Sequence, residues 1–281
     1  MLGALTKYVF LGSAQRRLYQ RGPAILTYHR IGRPPPGVPD PFLYDTAADL
    51  DAHLTRAKNA GLRVVSLGEA TGGGKPQPNT LAVTFDDGCV SVLEEALPVL
   101  RRHQVRAIQF IVAGRIGGLN EWDLSKDDVP TPLMDAGQIR EWLAAGQEIG
   151  SHTLTHRNLR KVSPAEAREE IAGSKQRLED MFGVPVRHFA FPYGGWRVPH
   201  VREIVHEAGY VSACTTEFGV SQTETDRWNL RRITPLTDVQ LLQKIWHRVQ
   251  RTARGGMVVG TIMAPHIARH AHNLHKLPRI H

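Results

Sequence analysis

Three short polar motifs in this chain each trail an apolar, strand-like run, and that placement limits the folds open to it. Thr84-Phe85-Asp86-Asp87-Gly88 follows Leu81-Ala82-Val83, and Ser151-His152-Thr153-Leu154-Thr155-His156 follows Gln147-Glu148-Ile149-Gly150. The third, Phe189-Ala190-Phe191-Pro192-Tyr193-Gly194, ends a run that begins near Arg187. One carboxylate and two imidazoles make three ligands with an open position, the pattern of a catalytic zinc-type site, and the second carboxylate is left over to act as a base. The groups lie far apart in the chain, so several strand ends have to converge on one ion. The C-terminal face of a parallel barrel brings strand ends together in this way. A doubly wound sheet gathers loops only near its switch point.

The rest of the chain supports a mainly parallel sheet with helical cover. Strands are expected over 24–28, 63–67, 105–112, 187–191 and 210–214. Thr46 has Asp49 at capping-box spacing and opens a helix ending at Gly61; Ser163-Pro164-Ala165-Glu166 opens another that runs to about Phe182. Further helices are expected over 90–102, 135–145 and 198–208, and one that Thr237 or Asp238 would cap. The stretch 113–132 reads as a long loop over the site face. The expected fold is α/β, a distorted or incomplete (β/α) barrel forming a single domain over 23–236. An N-terminal extension, 1–22, precedes it, and a basic C-terminal helix and tail, 237–281, follows.

Composition narrows the function classes. Hydrophobic residues make up 41% and charged residues 22% of the 281, ordinary for a globular protein. No apolar run approaches the ~20 residues needed to span a bilayer. The opening residues are interrupted by Lys7 and lack a cleavage pattern, so no cleavable signal is read, and a cytoplasmic or membrane-peripheral place is expected over export. The two cysteines, Cys89 and Cys214, imply no disulfide framework, and Cys89 reads as a small buried filler. The net charge of +8 belongs to the tail: up to Asp238 there are 28 Lys/Arg against 27 Asp/Glu, and beyond it seven Lys/Arg and six His with no acid. Such a tail suits contact with a membrane surface. It has no interleaved aromatics apart from Trp246, so nucleic acid is not expected.

Taken together and in this order, the motifs resemble the polysaccharide deacetylase family, also called NodB-homology or carbohydrate esterase family 4 domains. The resemblance implies a hydrolase that removes N-acetyl groups from an N-acetylated glycan or its precursor. It implies Asp86 as general base, and Asp87, His152 and His156 as ligands of a divalent metal, Zn2+ first, with Co2+, Ni2+ or Fe2+ as alternatives. Water held by that ion attacks the acetamide carbonyl, and the Tyr193 backbone N–H helps the ion bind the oxyanion. Many members carry an arginine just before the Pro-Tyr-Gly to hold the base. Here Ala190 and Phe191 stand there, and Arg232 is the expected substitute. The early Leu26-Thr27-Tyr28-His29-Arg30-Ile31 is similar to the poly-N-acetylglucosamine de-N-acetylase branch, which makes His29 the candidate acid, with His266 an outside candidate. Trp122, Tyr28 and Trp196 could stack on sugars or pack internally, and Thr153 and Asn158 could support the histidines. A hydrolase of small non-sugar amides, or a non-catalytic carbohydrate-binding protein on the same fold, are the alternatives.

Overall fold

The computed structural model describes residues 19, 22–36, 38, 40–72, 77–122, 129–193, 195–219 and 227–235. Ten strands occur among them: β1 (Ala24–Tyr28), β2 (Arg30–Ile31), β3 (Tyr44–Asp45), β4 (Arg63–Val64), β5 (Thr80–Phe85), β6 (Ile108–Ile111), β7 (Glu148–Ser151), β8 (His188–Ala190), β9 (Ser212–Phe218) and β10 (Leu230–Arg232). β2 and β3 pair separately, and β4 adds to the start of β5. The others run β1-β5-β6-β7-β8-β9-β10, every pair parallel. The last strand returns to the first. Leu26 bridges Ile233, Thr27 N–H donates to Ile233 O at 2.9 Å, and Ile233 N–H donates to Ile25 O at 2.7 Å. Seven strands therefore make a distorted, helix-covered (β/α) barrel, as the motif placement requires.

Side-chain parity sorts the core into two parts, because successive strand residues face opposite ways. Ile25, Ala82, Ile108, Phe110, Ala190, Cys214 and Leu230 form the interior cluster, joined by Leu67 and Ala70. The alternate positions Leu26, Val83, Phe85, Ile111, Phe189 and Ala213 belong to the larger cluster under the helices. Leu67 and Ala70 come from the helix Leu67–Thr71, and His188 Nε2 at the start of β8 lies near Gly68, so this helix stoppers the N-terminal end. That leaves the opposite end for the site.

Local signals set most helices. The helix Ala47–Asn59 starts with the Thr46/Asp49 capping box, and Pro164–Arg168 with the Ser163/Glu166 box. The helices expected over 90–102 and 163–182 are present but contain π-helical stretches, Val92–Ala96 and Glu169–Gly173. The strand expected over 63–67 is shorter, since Ser66 and Glu69 form a capping box and turn the chain into Leu67–Thr71. β10 was not anticipated. Tyr28 proves to be core: its ring lies 5.5 Å from that of Phe85, and its hydroxyl is 3.1 Å from His53 Nδ1. Among the described residues no helix is long and apolar enough to cross a membrane. The expected helix after Asp238, the basic tail and its membrane contact, Trp246 and His266 lie outside the described residues.

Two stability predictions follow from packing. A Cβ on Gly150 of β7 would lie 2.5 Å from Phe110 Cδ1 and 2.9 Å from the His188 carbonyl oxygen. Gly150→Ala should therefore lower the unfolding free energy by about 1–3 kcal/mol in denaturant titration. Burial also pushes His53 and His188 down to about 4. Between that value and the ordinary ~6.5, the unfolded chain binds protons that the folded chain refuses, so stability falls as pH drops through this window. The unfolding free energy should decline from pH 7.5 to 5, by on the order of 1–2 kcal/mol per histidine. A His53→Gln variant should show a shallower decline.

Candidate active site

Adjacent carboxylates on a regular strand point to opposite faces, so both can serve one centre only if the chain turns between them. β5 ends at Phe85, and Asp86 N–H still donates to the Tyr28 carbonyl at 2.9 Å. Asp87 then adopts φ +75° and Gly88 φ +87°. Two successive left-handed residues swing the Asp87 carboxylate to the same side as that of Asp86. The turn is held from outside by Met134 N–H on the Gly88 carbonyl (2.8 Å) and Val90 N–H on the Pro132 carbonyl (3.0 Å). Cys89 is a buried filler beside it.

The two carboxylates have different surroundings. Asp86 is gripped by Arg232 in a bidentate pair, Nη1 to Oδ1 and Nη2 to Oδ2, both at 2.7 Å. Arg232 is itself fixed by Nε donating to Thr215 O at 2.9 Å and Nη1 to Thr84 Oγ1 at 3.2 Å. Burial works most strongly against ionising Asp86, but the Arg232 guanidinium and the nearby His152 and His29 together hold the carboxyl below its usual range. His29 Nε2 approaches Asp86 Oδ2 to 3.8 Å, and its side chain keeps 29% of its exposure. Arg232 thus lies where the sequence reading expected a partner for the base, carried on a strand that reading did not foresee.

Among the described residues Asp87 has no such cation. Its Oδ1 lies 3.6 Å from His152 Nε2 and 3.4 Å from His156 Nε2. His152 Nδ1–H donates to Ala190 O at 2.8 Å, which leaves the Nε2 lone pair facing Asp87. His156 is left-handed (φ +61°), and its N–H donates to Thr153 Oγ1 at 2.9 Å. Burial alone would raise the Asp87 carboxyl, yet the imidazoles, His156 foremost, hold it below the ordinary carboxylate range. Burial pushes His152 down to about 4. A neutral imidazole beside an ionised carboxylate is the protonation state a metal ligand set needs.

The three residues fit a divalent cation. Their ligand atoms lie within 4.8 Å of one another, and Asp87 Oδ1 has no hydrogen-bond donor among the described residues. The edge of a ligand tetrahedron with bonds of ~2.0–2.1 Å is about 3.4 Å, close to both Asp87–imidazole separations. A buried anion without a donor is costly, and a cation between these atoms removes that cost.

Aromatic residues surround the pair. Trp122 stacks on the His156 ring (centroids 4.2 Å, 20° between planes), and Tyr193 meets it edge-on at 4.9 Å. Tyr193 is 36% exposed and has φ +53°. Trp196 is held by a 3.5 Å contact of Nε1 with Thr216 Oγ1 and by the Arg197 guanidinium over its ring. Of the two candidate supports, Thr153 Oγ1 accepts from His156 N–H, whereas the Asn158 side chain accepts from Arg160 N–H at 3.1 Å in a local turn. Two contributors escaped the sequence reading. Gln109 Nε2 donates to the Asp86 carbonyl at 3.2 Å, and the Glu170 carboxylate accepts from the histidine loop. Neither belongs to a motif.

Comparison with known proteins agrees with this geometry. The polysaccharide deacetylase family model matches residues 73–213, half of the chain, from before β5 into β9. A putative polysaccharide deacetylase, YxkH of Bacillus subtilis, is 25% identical over 189 residues, 66% of this chain and 63% of that protein. The chitooligosaccharide deacetylase of a Bradyrhizobium strain is 29% identical over 119 residues, 41% of this chain and 46% of that protein. The chain therefore spans less than two thirds of the length of either relative. Among solved structures, IcaB from Ammonifex degensii superposes with a TM-score of 0.66 at 25% identity, over 81% of this chain and 97% of that one. With both halves of the Asp-Asp and His-His motifs inside the matched region and gathered at one end of the barrel, this chain belongs to the polysaccharide deacetylase family.

Proposed function

We propose that the protein is a metal-dependent hydrolase that removes N-acetyl groups from amino sugars of a polysaccharide or its precursor. One observation carries the reading: neighbouring carboxylates are given different tasks by their partners. Asp86 is clamped by a cation and kept ionised, while Asp87 shares a buried pocket with two imidazoles and its Oδ1 has no donor among the described residues. The first suits a base and the second a metal ligand.

Asp87, His152 and His156 would hold a divalent ion, Zn2+ by preference, which would supply Lewis acidity to lower the pKa of water toward neutrality and polarise the amide carbonyl. Asp86 takes the proton as the water oxygen bonds to the acetyl carbon. Arg232 fixes the direction of both its oxygens, so the base does not rotate away. The Tyr193 main-chain N–H is assigned to the developing oxyanion, an interaction worth about 3–4 kcal/mol. His29, beside Asp86 at the exposed side, is assigned to protonate the nitrogen as the C–N bond breaks, which releases acetate and a free amine. A histidine just after β1 and next to the base supports the poly-N-acetylglucosamine branch among the family's substrates.

Three experiments test this. The chain loaded with Zn2+ or Co2+ should release acetate from N-acetylglucosamine oligomers, lose that activity on chelation and regain it on reloading. Failure on every N-acyl sugar with folding intact would overturn the proposal, and turnover of a small amide alone would redirect it. Asp86→Asn should retain metal while kcat falls by roughly 10²–10⁴. Arg232→Gln removes the cation that keeps Asp86 ionised, so the acidic limb of kcat/KM should move to higher pH. An unmoved limb in a folded variant would remove Asp86 from the base role.

A further inference from the structure

The two imidazoles sit on a loop with little regular structure of its own, and what holds that loop is a helix defect. The helical run from Pro164 to Phe182 is α at both ends but π over Glu169–Gly173. In a π stretch the backbone bonds shift register, which frees carbonyls for partners outside the helix. Here the Glu170 carbonyl accepts from Leu154 N–H at 3.1 Å. The Glu170 side chain turns the same way: Oε2 accepts from Thr155 N–H at 2.9 Å and Oε1 from the Thr155 hydroxyl. Gly173 completes the seat, since a Cβ there would lie 3.1 Å from Leu154 Cδ1. On the other side of the loop, Ala113 N–H donates to Thr153 O at 3.0 Å and Gly114 N–H to Leu154 O at 2.7 Å.

Glu170 is buried, 7% exposed, and no ion pair to it occurs among the described residues. A carboxylate placed inside a protein against only an amide and a hydroxyl is an expensive way to secure a loop if packing alone were needed. Its two contacts fall on Thr155, the residue immediately before His156. His156 must hold a left-handed conformation, and Thr153, at φ +70°, must do the same. Such residues revert to extended or helical backbone unless the surroundings over-determine them.

We propose that Glu170 is a positioning residue: through Thr155 it fixes His156, and with it the spacing of the imidazoles from Asp87. Glu170 touches neither substrate nor ion. The proposal rests on the metal-site reading above, and its test separates the two. Wild type, Glu170→Ala, Glu170→Gln and Thr155→Val are stripped of metal. Each is compared by Zn2+ or Co2+ titration against a competing chelator, by thermal unfolding, and by amide exchange at Leu154 and Thr155.

Glu170→Ala should bind metal about 10–100-fold more weakly, the range of outer-sphere ligand supports, and should exchange faster at the loop without metal. Glu170→Gln, which keeps one acceptor, should recover part of both. Once saturated with metal, Glu170→Ala should regain most of its kcat with KM little changed. The double variant Glu170→Ala/Thr155→Val should be no worse than Glu170→Ala. Metal affinity and loop exchange equal to wild type would overturn the proposal, even in a variant with a lower unfolding temperature. Wild type that binds no metal while Glu170→Ala still loosens the loop would sink the metal reading and leave Glu170 as the clamp on His156.

Discussion

The bidentate pair between Asp86 and Arg232 joins the site to the closure of the barrel. Asp86 follows β5, Arg232 ends β10, and β1 lies between them in the ring. The guanidinium also reaches Thr84 Oγ1, whose hydroxyl donates across to the Leu26 carbonyl of β1 at 2.7 Å. Three neighbouring strands are thereby tied by one cation under the mouth of the barrel. Stability is a weak reason for such a pair, since well-packed apolar residues in place of a buried ion pair are often neutral or better. Removing only one partner is different and costs about 3–5 kcal/mol, because the other charge stays buried. Orientation and ionisation of Asp86 are what the pair supplies and an apolar core cannot.

Backbone strain tells the same story. Six non-glycine residues among those described have positive φ, and four of them are Asp87, Thr153, His156 and Tyr193. The other two, Asn79 and Gln104, lie in turns away from it, so this concentration is a property of the site. Each such residue costs of order 1–3 kcal/mol, offset by hydrogen bonds around its turn. Met134 N–H holds the turn after Asp87, Glu170 and Thr153 hold the turn at His156, and the Thr216 hydroxyl donates to the Tyr193 carbonyl at 2.8 Å.

Much of the architecture was legible because its causes are local. Thr46 with Asp49 and Ser163 with Glu166 announce helix starts within four residues, and the structure has both boxes. The apolar runs before the Asp-Asp-Gly and His-Thr-Leu-Thr-His motifs announce strands, and the need to gather their ends selects a barrel. β10 was hidden because three residues with two arginines carry no apolar pattern, and its place depends on the ring closing at Ile233. Arg232 could be suspected only from the missing arginine before Pro192. Glu170 left no trace: within an amphipathic helix an acidic residue reads as solvent-facing, and a π stretch that turns it inward has no sequence signature. The capping box at Ser66 was readable in the same way as the others, but the apolar run beside it read as a strand.

The aromatic enclosure of His156 completes the division between the two histidines. His152 is oriented by a hydrogen bond from Nδ1 to a strand carbonyl, the usual device for presenting Nε2 to a metal. His156 Nδ1 has no hydrogen-bond partner among the described residues. Its ring is instead set by Trp122 against one face, by the Tyr193 edge, and by a backbone clamped at Thr155. Flat contacts limit tilt but leave rotation within the plane of the stack less constrained than a hydrogen bond would. Position must then come from the main chain, which is why a loop-holding carboxylate matters more for this imidazole than for its neighbour. Asp86 and Asp87 are themselves buried, so charge–charge interactions there are screened less than at the surface.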